Sequence, residues 1–173
     1  DLNTALTYAS QADVVIFFGG LDQTQEGEGF DRVNNSIELP GKQKDLIKLL
    51  ASANKNIVVV LISGGICTAT PFINDIKGLL YGFYPGQEGG NAIAQVLFGD
   101  YNPSGKLPVS MPQTDSQLPD RNSNNLDNNV GGGYRWFDKN NTVPQFAFGY
   151  GLSYTTFSFS NFLFIPSPYA VSP

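Results

Sequence analysis

The sequence predicts an α/β fold: a mostly parallel, doubly wound sheet flanked by helices, with a loop-rich C-terminal part leading to a β strand. Three observations carry this expectation. Short apolar runs rich in β-branched residues alternate with helix-like segments over residues 1–100. The run Asn56–Ser63 (NIVVVLIS) is apolar on both faces, as a strand inside a parallel sheet is. The order strand, helix, strand, strand, helix is that of crossover-connected parallel strands.

Leu2–Gln11 reads as a short helix capped near Asp1 or Asn3. Asp13–Gly20 (DVVIFFGG) reads as a buried strand ending in glycines. Leu21–Glu38 is polar, acidic and glycine-containing, which predicts a loop; a loop that long inside a compact domain tends to be functional. Pro40 is placed in the first turn of the next helix. Ile47, Leu50 and Ala51, with Leu46 beside them, form that helix's apolar face, whereas Lys42, Lys44 and Lys48 form a solvated one. Asn56–Ser63 is the second strand, closed by Gly64-Gly65, and Ile76–Phe83 the third. Tyr84–Gly90 is a turn, and Asn91–Phe98 a helix that Gly99 stops. Pro103–Val143 has little periodicity, and Ser116–Asn129 within it is nearly a polar tract. Tyr154–Phe164 alternates and predicts a further strand. Three strands with two or three helices leave both sheet faces poorly covered, so further strands are expected upstream of Asp1.

Composition narrows the chemistry. The chain has 173 residues, a net charge of −5, one Cys and no His. Without His there is no Ser-His-Asp triad, Cys-His dyad or imidazole metal ligand. A lone Cys67 permits no internal disulfide and reads as a small buried hydrophobe. Ten scattered Lys and Arg argue against binding to nucleic acid, and no apolar run approaches the ~18 residues of a membrane span. Charged residues are only 14% and Asn number 16, which suits a secreted, extracellular or vesicular protein with long polar loops. No cofactor is expected. The glycine clusters match neither dinucleotide- nor phosphate-binding patterns and are expected to reflect backbone geometry.

The most informative segment is Asp22–Arg32 (DQTQEGEGFDR), which follows the C-terminal end of a strand, where open α/β sheets bind ligands. It crowds Glu26, Glu28 and Asp31 among glycines. Mutual repulsion raises the pKa of one such carboxyl, and a carboxyl that exchanges its proton at mild pH can serve general acid–base catalysis. The residues alone leave open a solvated acidic loop or a calcium-like oxygen cluster, although the D-x-D-x-D-G spacing is absent. Arg32 reads first as the ion-pair partner of Asp31 that pins the loop. Tyr134, Trp136, Phe137, Tyr150 and Tyr154 could stack on sugar rings, though packing is their ordinary role. Asn34 (Asn-Asn-Ser) and Asn140 (Asn-Asn-Thr) are candidate N-glycosylation sites.

Six ordered motifs go further: Gly20–Arg32 (GLDQTQEGEGFDR), Leu39–Ile47 (LPGKQKDLI), Val60–Gly65 (VLISGG), Tyr84–Pro112 (YPGQEGGNAIAQVLFGDYNPSGKLPVSMP), Gly133–Asp138 (GYRWFD) and Phe146–Phe157 (FAFGYGLSYTTF). With them the chain resembles glycoside hydrolase family 3, the β-glucosidase and β-xylosidase family, over Ala12–Phe159. LDQTQE before EGFDR is more similar to the β-xylosidase branch. The resemblance implies that residues 1–157 are part of an α/β sandwich domain and that residues 158–173 begin a fibronectin type III-like domain or linker. It implies a separate N-terminal (β/α)8 barrel bearing the nucleophilic Asp, absent from these residues. It implies that Glu28 is the general acid/base, with Glu26 its rival, because Glu28 keeps the family's spacing to Asp31-Arg32. The substrate implied is a β-linked oligosaccharide or glycoside, hydrolysed from its end with retention, and no metal is expected. The chain alone should then be inactive. A non-catalytic carbohydrate-binding or structural, self-assembling module with the same fold is the competing expectation, and a nucleotide-binding α/β domain the remaining one.

Overall fold

The structure is a computed structural model and describes residues 1–29, 32, 36–119 and 132–163. Its centre is a parallel sheet of three strands, β1 (Val15–Gly20), β2 (Ile57–Ile62) and β3 (Gly78–Tyr81), in the order β1-β2-β3. Val15 pairs with Ile57 and Val58 with Gly78, both in parallel register. The helices are α1 (Leu2–Gln11), α2 (Gln43–Ala53), α3 (Gly89–Phe98) and a short α4 (Tyr134–Lys139).

Strand alternation sends odd-numbered side chains to one face. Ile57, Val59 and Leu61 of β2 pack there with Ile47, Leu50 and Ala51 of α2 and Ala9 of α1. Those three α2 residues are the apolar face expected from spacing. Phe72, Cys67, Ala69 and Met111 complete this core. On the even-numbered face, Ile93 of α3 and Ile62 of β2 converge beside Gly82, whereas Ile16 and Phe18 of β1 remain exposed.

Asp1 caps α1 by accepting the Asn3 N–H at 3.2 Å. Gly99 ends α3 in the left-handed region at φ 84°. Gln43, the first residue of α2, clasps the end of β1: its Oε1 accepts the Gly20 N–H and its Nε2 donates to the Gly20 carbonyl, each at 2.9 Å. α2 therefore starts after Pro40 rather than around it. Gly41 intervenes with φ 62°, a left-handed conformation that keeps Pro40 outside the helix.

Two expectations differ from the structure in the C-terminal part. Tyr134–Lys139 is a helix, whereas only irregular chain is expected there. Residues 154–163 form no strand: Phe157, Phe159, Phe162 and Leu163 are exposed, and alternation without a neighbouring strand gives no ladder to join. The tail from Pro166 and the candidate glycosylation site Asn34 lie outside the described residues.

Candidate active site

The acidic loop leaves the C-terminal end of β1, and the turn after β2 lies beside it. That turn is built first. Ser63 and Tyr81 hydroxyls lie 2.7 Å apart, and each reaches the Gly65 carbonyl, at 2.8 and 2.9 Å. The Cys67 N–H donates to the Tyr81 hydroxyl at 2.7 Å. Burial raises the Tyr81 pKa far above its ordinary value, so the phenol stays protonated and keeps both roles. Cys67 is fully buried, as expected, and burial pushes its thiol up.

So held, the turn presents two backbone N–H groups to Glu26. Oε1 of Glu26 accepts from the Gly64 N–H and the Tyr84 hydroxyl. Oε2 accepts from the Gly65 N–H at 3.1 Å and from Arg32 at 3.3 Å. Burial pushes this carboxyl's pKa up, but the Tyr84 hydroxyl, the two N–H groups and the Arg32 charge outweigh burial and hold it below the ordinary range. The Arg32 and Glu26 side chains are 16% and 15% exposed, and Arg32 also donates to the Ile66 carbonyl at 2.6 Å. Arg32 thus pins the loop as expected, with Glu26 as its partner; Asp31 lies outside the described residues.

Gly64 and Gly65 are glycines for a reason other than the expected backbone geometry. Neither has positive φ. A Cβ on Gly64 would come within 2.6 Å of the Tyr84 ring, and one on Gly65 within 2.5 Å of the Arg32 guanidinium. A side chain at either position would push the Tyr84 ring or the Arg32 guanidinium away from its present place beside Glu26.

Glu28 lies two residues beyond Glu26 and is exposed. Both line one open cleft of about 690 Å³. Val109, Pro112, Leu118, Gly133, Trp136 and Phe137 also line it. Trp136 is fixed by its indole N–H, which donates to the Gln117 carbonyl at 2.9 Å. Of the aromatics singled out in the sequence, Trp136 and Phe137 reach this cleft. Tyr134 packs on Phe148 (5.2 Å between ring centres) and Tyr150 on Phe146 (4.9 Å). Tyr154 is exposed and donates to the Val96 carbonyl. Asn140 is exposed at the end of α4, and its side-chain amide donates to the Trp136 carbonyl at 2.8 Å.

Ser63, Tyr81 and Tyr84 were not visible as site residues in the sequence. The signal available was a Gly-Gly pair following one strand and an acidic loop following its neighbour. Among the described residues no group of three or more Asp, Glu or Cys side chains is arranged to hold a metal ion, and no helix is long and apolar enough to cross a membrane.

The family profile described as "Glycosyl hydrolase family 3 C-terminal domain" matches residues 1–154. The chain belongs to this family. It is 41% identical over 160 residues to an exo-α-(1→6)-L-arabinopyranosidase of Bifidobacterium longum, covering 88% of this chain and 21% of that protein. It is 44% identical over 153 residues to a xylan 1,4-β-xylosidase of Xylanibacter ruminicola, covering 83% of this chain and 17% of that one. The crystal structure of a family 3 β-glucosidase from Bifidobacterium adolescentis superposes with a TM-score of 0.78 at 38% identity, over 90% of this chain and 24% of that chain. The family 3 C-terminal domain described here thus spans about a fifth of the length of the curated relatives it matches. Those relatives are glycoside hydrolases; the parallel sheet with flanking helices, which superposes on part of the β-glucosidase structure, agrees with the α/β sandwich expected from the sequence.

Proposed function

We propose that this domain is the acid/base-bearing part of a retaining exo-β-glycosidase, a β-xylosidase or β-glucosidase, and that Glu28 is the general acid/base. The observation that carries this reading is the contrast between two neighbouring carboxyls on one cleft. Glu26 has both oxygens occupied by donors that favour the ionised form, which suits a fixed anion and not a proton donor. Glu28 is exposed on the same cleft, where a leaving-group oxygen can reach it.

In the reaction, a barrel Asp from outside this chain attacks the anomeric carbon. Glu28 protonates the departing oxygen, and the sugar is left as a glycosyl ester of the Asp. Glu28, now a carboxylate, then takes a proton from water as that water displaces the Asp. Retention requires the two carboxyls about 5–5.5 Å apart. The nucleophile must therefore be docked against the open side of the cleft by another part of the polypeptide, for which we propose an N-terminal (β/α)8 barrel. Residues 1–157 belong to the sandwich in this reading, and residues 158–173 lead into a fibronectin type III-like domain or linker. The low charge and Asn-rich composition support a secreted protein, with Asn34 and Asn140 as its glycosylation sites.

The test compares the isolated domain with the longer polypeptide that carries it, on aryl β-xylosides and aryl β-glucosides. The isolated domain is expected to release no phenol and the longer polypeptide to release it with retention. In the longer polypeptide, Glu28→Ala is expected to lose about 10²–10⁴-fold in turnover. Azide, a nucleophile that needs no general base, should restore part of that rate and leave a β-glycosyl azide. Turnover by the isolated domain, abolished in Glu28→Gln, would refute the division of labour.

A further inference from the structure

Glu26 is more than a neighbour of Glu28. The ion pair between Glu26 and Arg32 joins residues six apart, and Glu28 lies inside the short loop it closes. Both ends of that loop are fastened to the turn after β2: Glu26 to the Gly64 and Gly65 N–H groups, Arg32 to the Ile66 carbonyl. Tyr84, from the segment after β3, adds its hydroxyl to Glu26. Three separate stretches of chain therefore converge on one carboxylate at the base of the loop.

An ion pair at a protein surface is worth little by itself, typically about 0–1 kcal/mol. This one is mostly buried, and the Cβ positions of Gly64 and Gly65 are left empty to admit it. The turn it grips is itself fixed by Ser63 and Tyr81. Such an arrangement suits the holding of a loop to a fixed place, which proton transfer needs and loop stability alone does not. A displacement of about 1 Å in a reacting group can lower a rate about 10²-fold.

We infer that Glu26 and Tyr84 are positioning residues: together with Arg32 they clamp the loop so that the Glu28 carboxyl is held where it protonates the leaving group. This inference rests on Glu28 being the acid/base. The clamp acts through the loop that bears Glu28, and none of its contacts involves the Glu28 carboxyl itself. Its loss should therefore impair proton delivery while leaving attack at the anomeric carbon intact.

The experiment uses the longer polypeptide with four variants, Glu26→Gln, Glu26→Ala, Tyr84→Phe and Glu28→Ala. The measured quantity is kcat/KM, which reports formation of the glycosyl-enzyme, on two substrates. A 2,4-dinitrophenyl glycoside has a leaving group that needs no proton; an alkyl glycoside has one that does. Glu26→Gln and Tyr84→Phe are expected to lower kcat/KM on the alkyl glycoside about tenfold to hundredfold. On the dinitrophenyl glycoside they should lower it less than about threefold, by the same positioning argument. Tyr84→Phe removes only an oxygen from an exposed ring, so its thermal midpoint should stay near that of the parent and separate positioning from misfolding.

Equal losses on both substrates, or no loss on either, would overturn the clamp. A clamp that fails in this way while Glu28→Ala still yields glycosyl azide leaves the acid/base assignment standing. If Glu26→Ala yields the azide adduct and Glu28→Ala does not, Glu26 is itself the acid/base and both readings fall together.

Discussion

Glu26 and Glu28 have the same functional group and lie two residues apart, but different surroundings. Glu26 receives two donors on each oxygen, so folding favours its ionised form and its pKa lies below the ordinary 4.5. The sign follows from linkage: a carboxyl depressed by folding contributes stability that is complete above its unfolded value and lost as pH falls through its folded value. The domain's thermal midpoint should therefore fall as the pH drops below about 4.5. Asp22, depressed by the Thr24 hydroxyl and N–H, acts in the same direction at an exposed site. Glu26→Gln separates the two contributions. Its midpoint should be lower than the parent's at neutral pH and decline less steeply into acid. Parallel curves, measured by circular dichroism melts across pH 3–7, would mean that Glu26 does not couple to folding.

At the level of elements, α2 shows how directly periodicity reports burial. Ile47 is fully buried against the sheet and Leu49 is 42% exposed on the same helix. Ile47→Ala should cost about 2–5 kcal/mol by removing packed methyl groups and leaving a cavity. Leu49→Ala should stay within about 0.5 kcal/mol. Urea titrations of the two variants check this; similar midpoints would mean that α2 is not packed as described. β2 and α2 were legible because each buries a regular face; α1 and α3 were marked by Asp1 at one end and Gly99 at the other, and β1 and β3 by their short apolar runs. α4 was not legible because six residues hold too little periodicity. Its fixed points are the indole bond to Gln117 and the burial of Phe137, both tertiary. Tyr154–Phe164 misled in the opposite direction, since alternation marks a side-chain pattern and not a hydrogen-bonding partner. In the site, Glu26, Glu28 and Arg32 were visible as a charged cluster. That Glu26 answers to Arg32, Tyr84 and two glycine amides was not, because those contacts join three stretches of chain that only the parallel sheet brings together.

Considered whole, the domain is covered unevenly. The face under α1 and α2 holds the core, while Val14, just before β1, and Ile16 and Phe18 on it present apolar side chains to solvent. Among the described residues β1 pairs with a strand on one side only, and an edge strand flanked by apolar surface is prone to pair with another chain. The isolated domain should therefore bind an apolar fluorescent dye while folded and associate as its concentration rises. Phe18→Thr should weaken both effects, as followed by dye emission and sedimentation velocity; a monomer that ignores the dye would mean this face is not a sticky one. Trp136 adds something of another kind. It is the chain's single tryptophan, and it lines the same cleft as Glu28 with its N–H fixed to the backbone. Ultraviolet excitation at the red edge thus addresses one indole and no other, so the protein carries its own optical gauge of whatever enters or closes over that cleft, with no label attached.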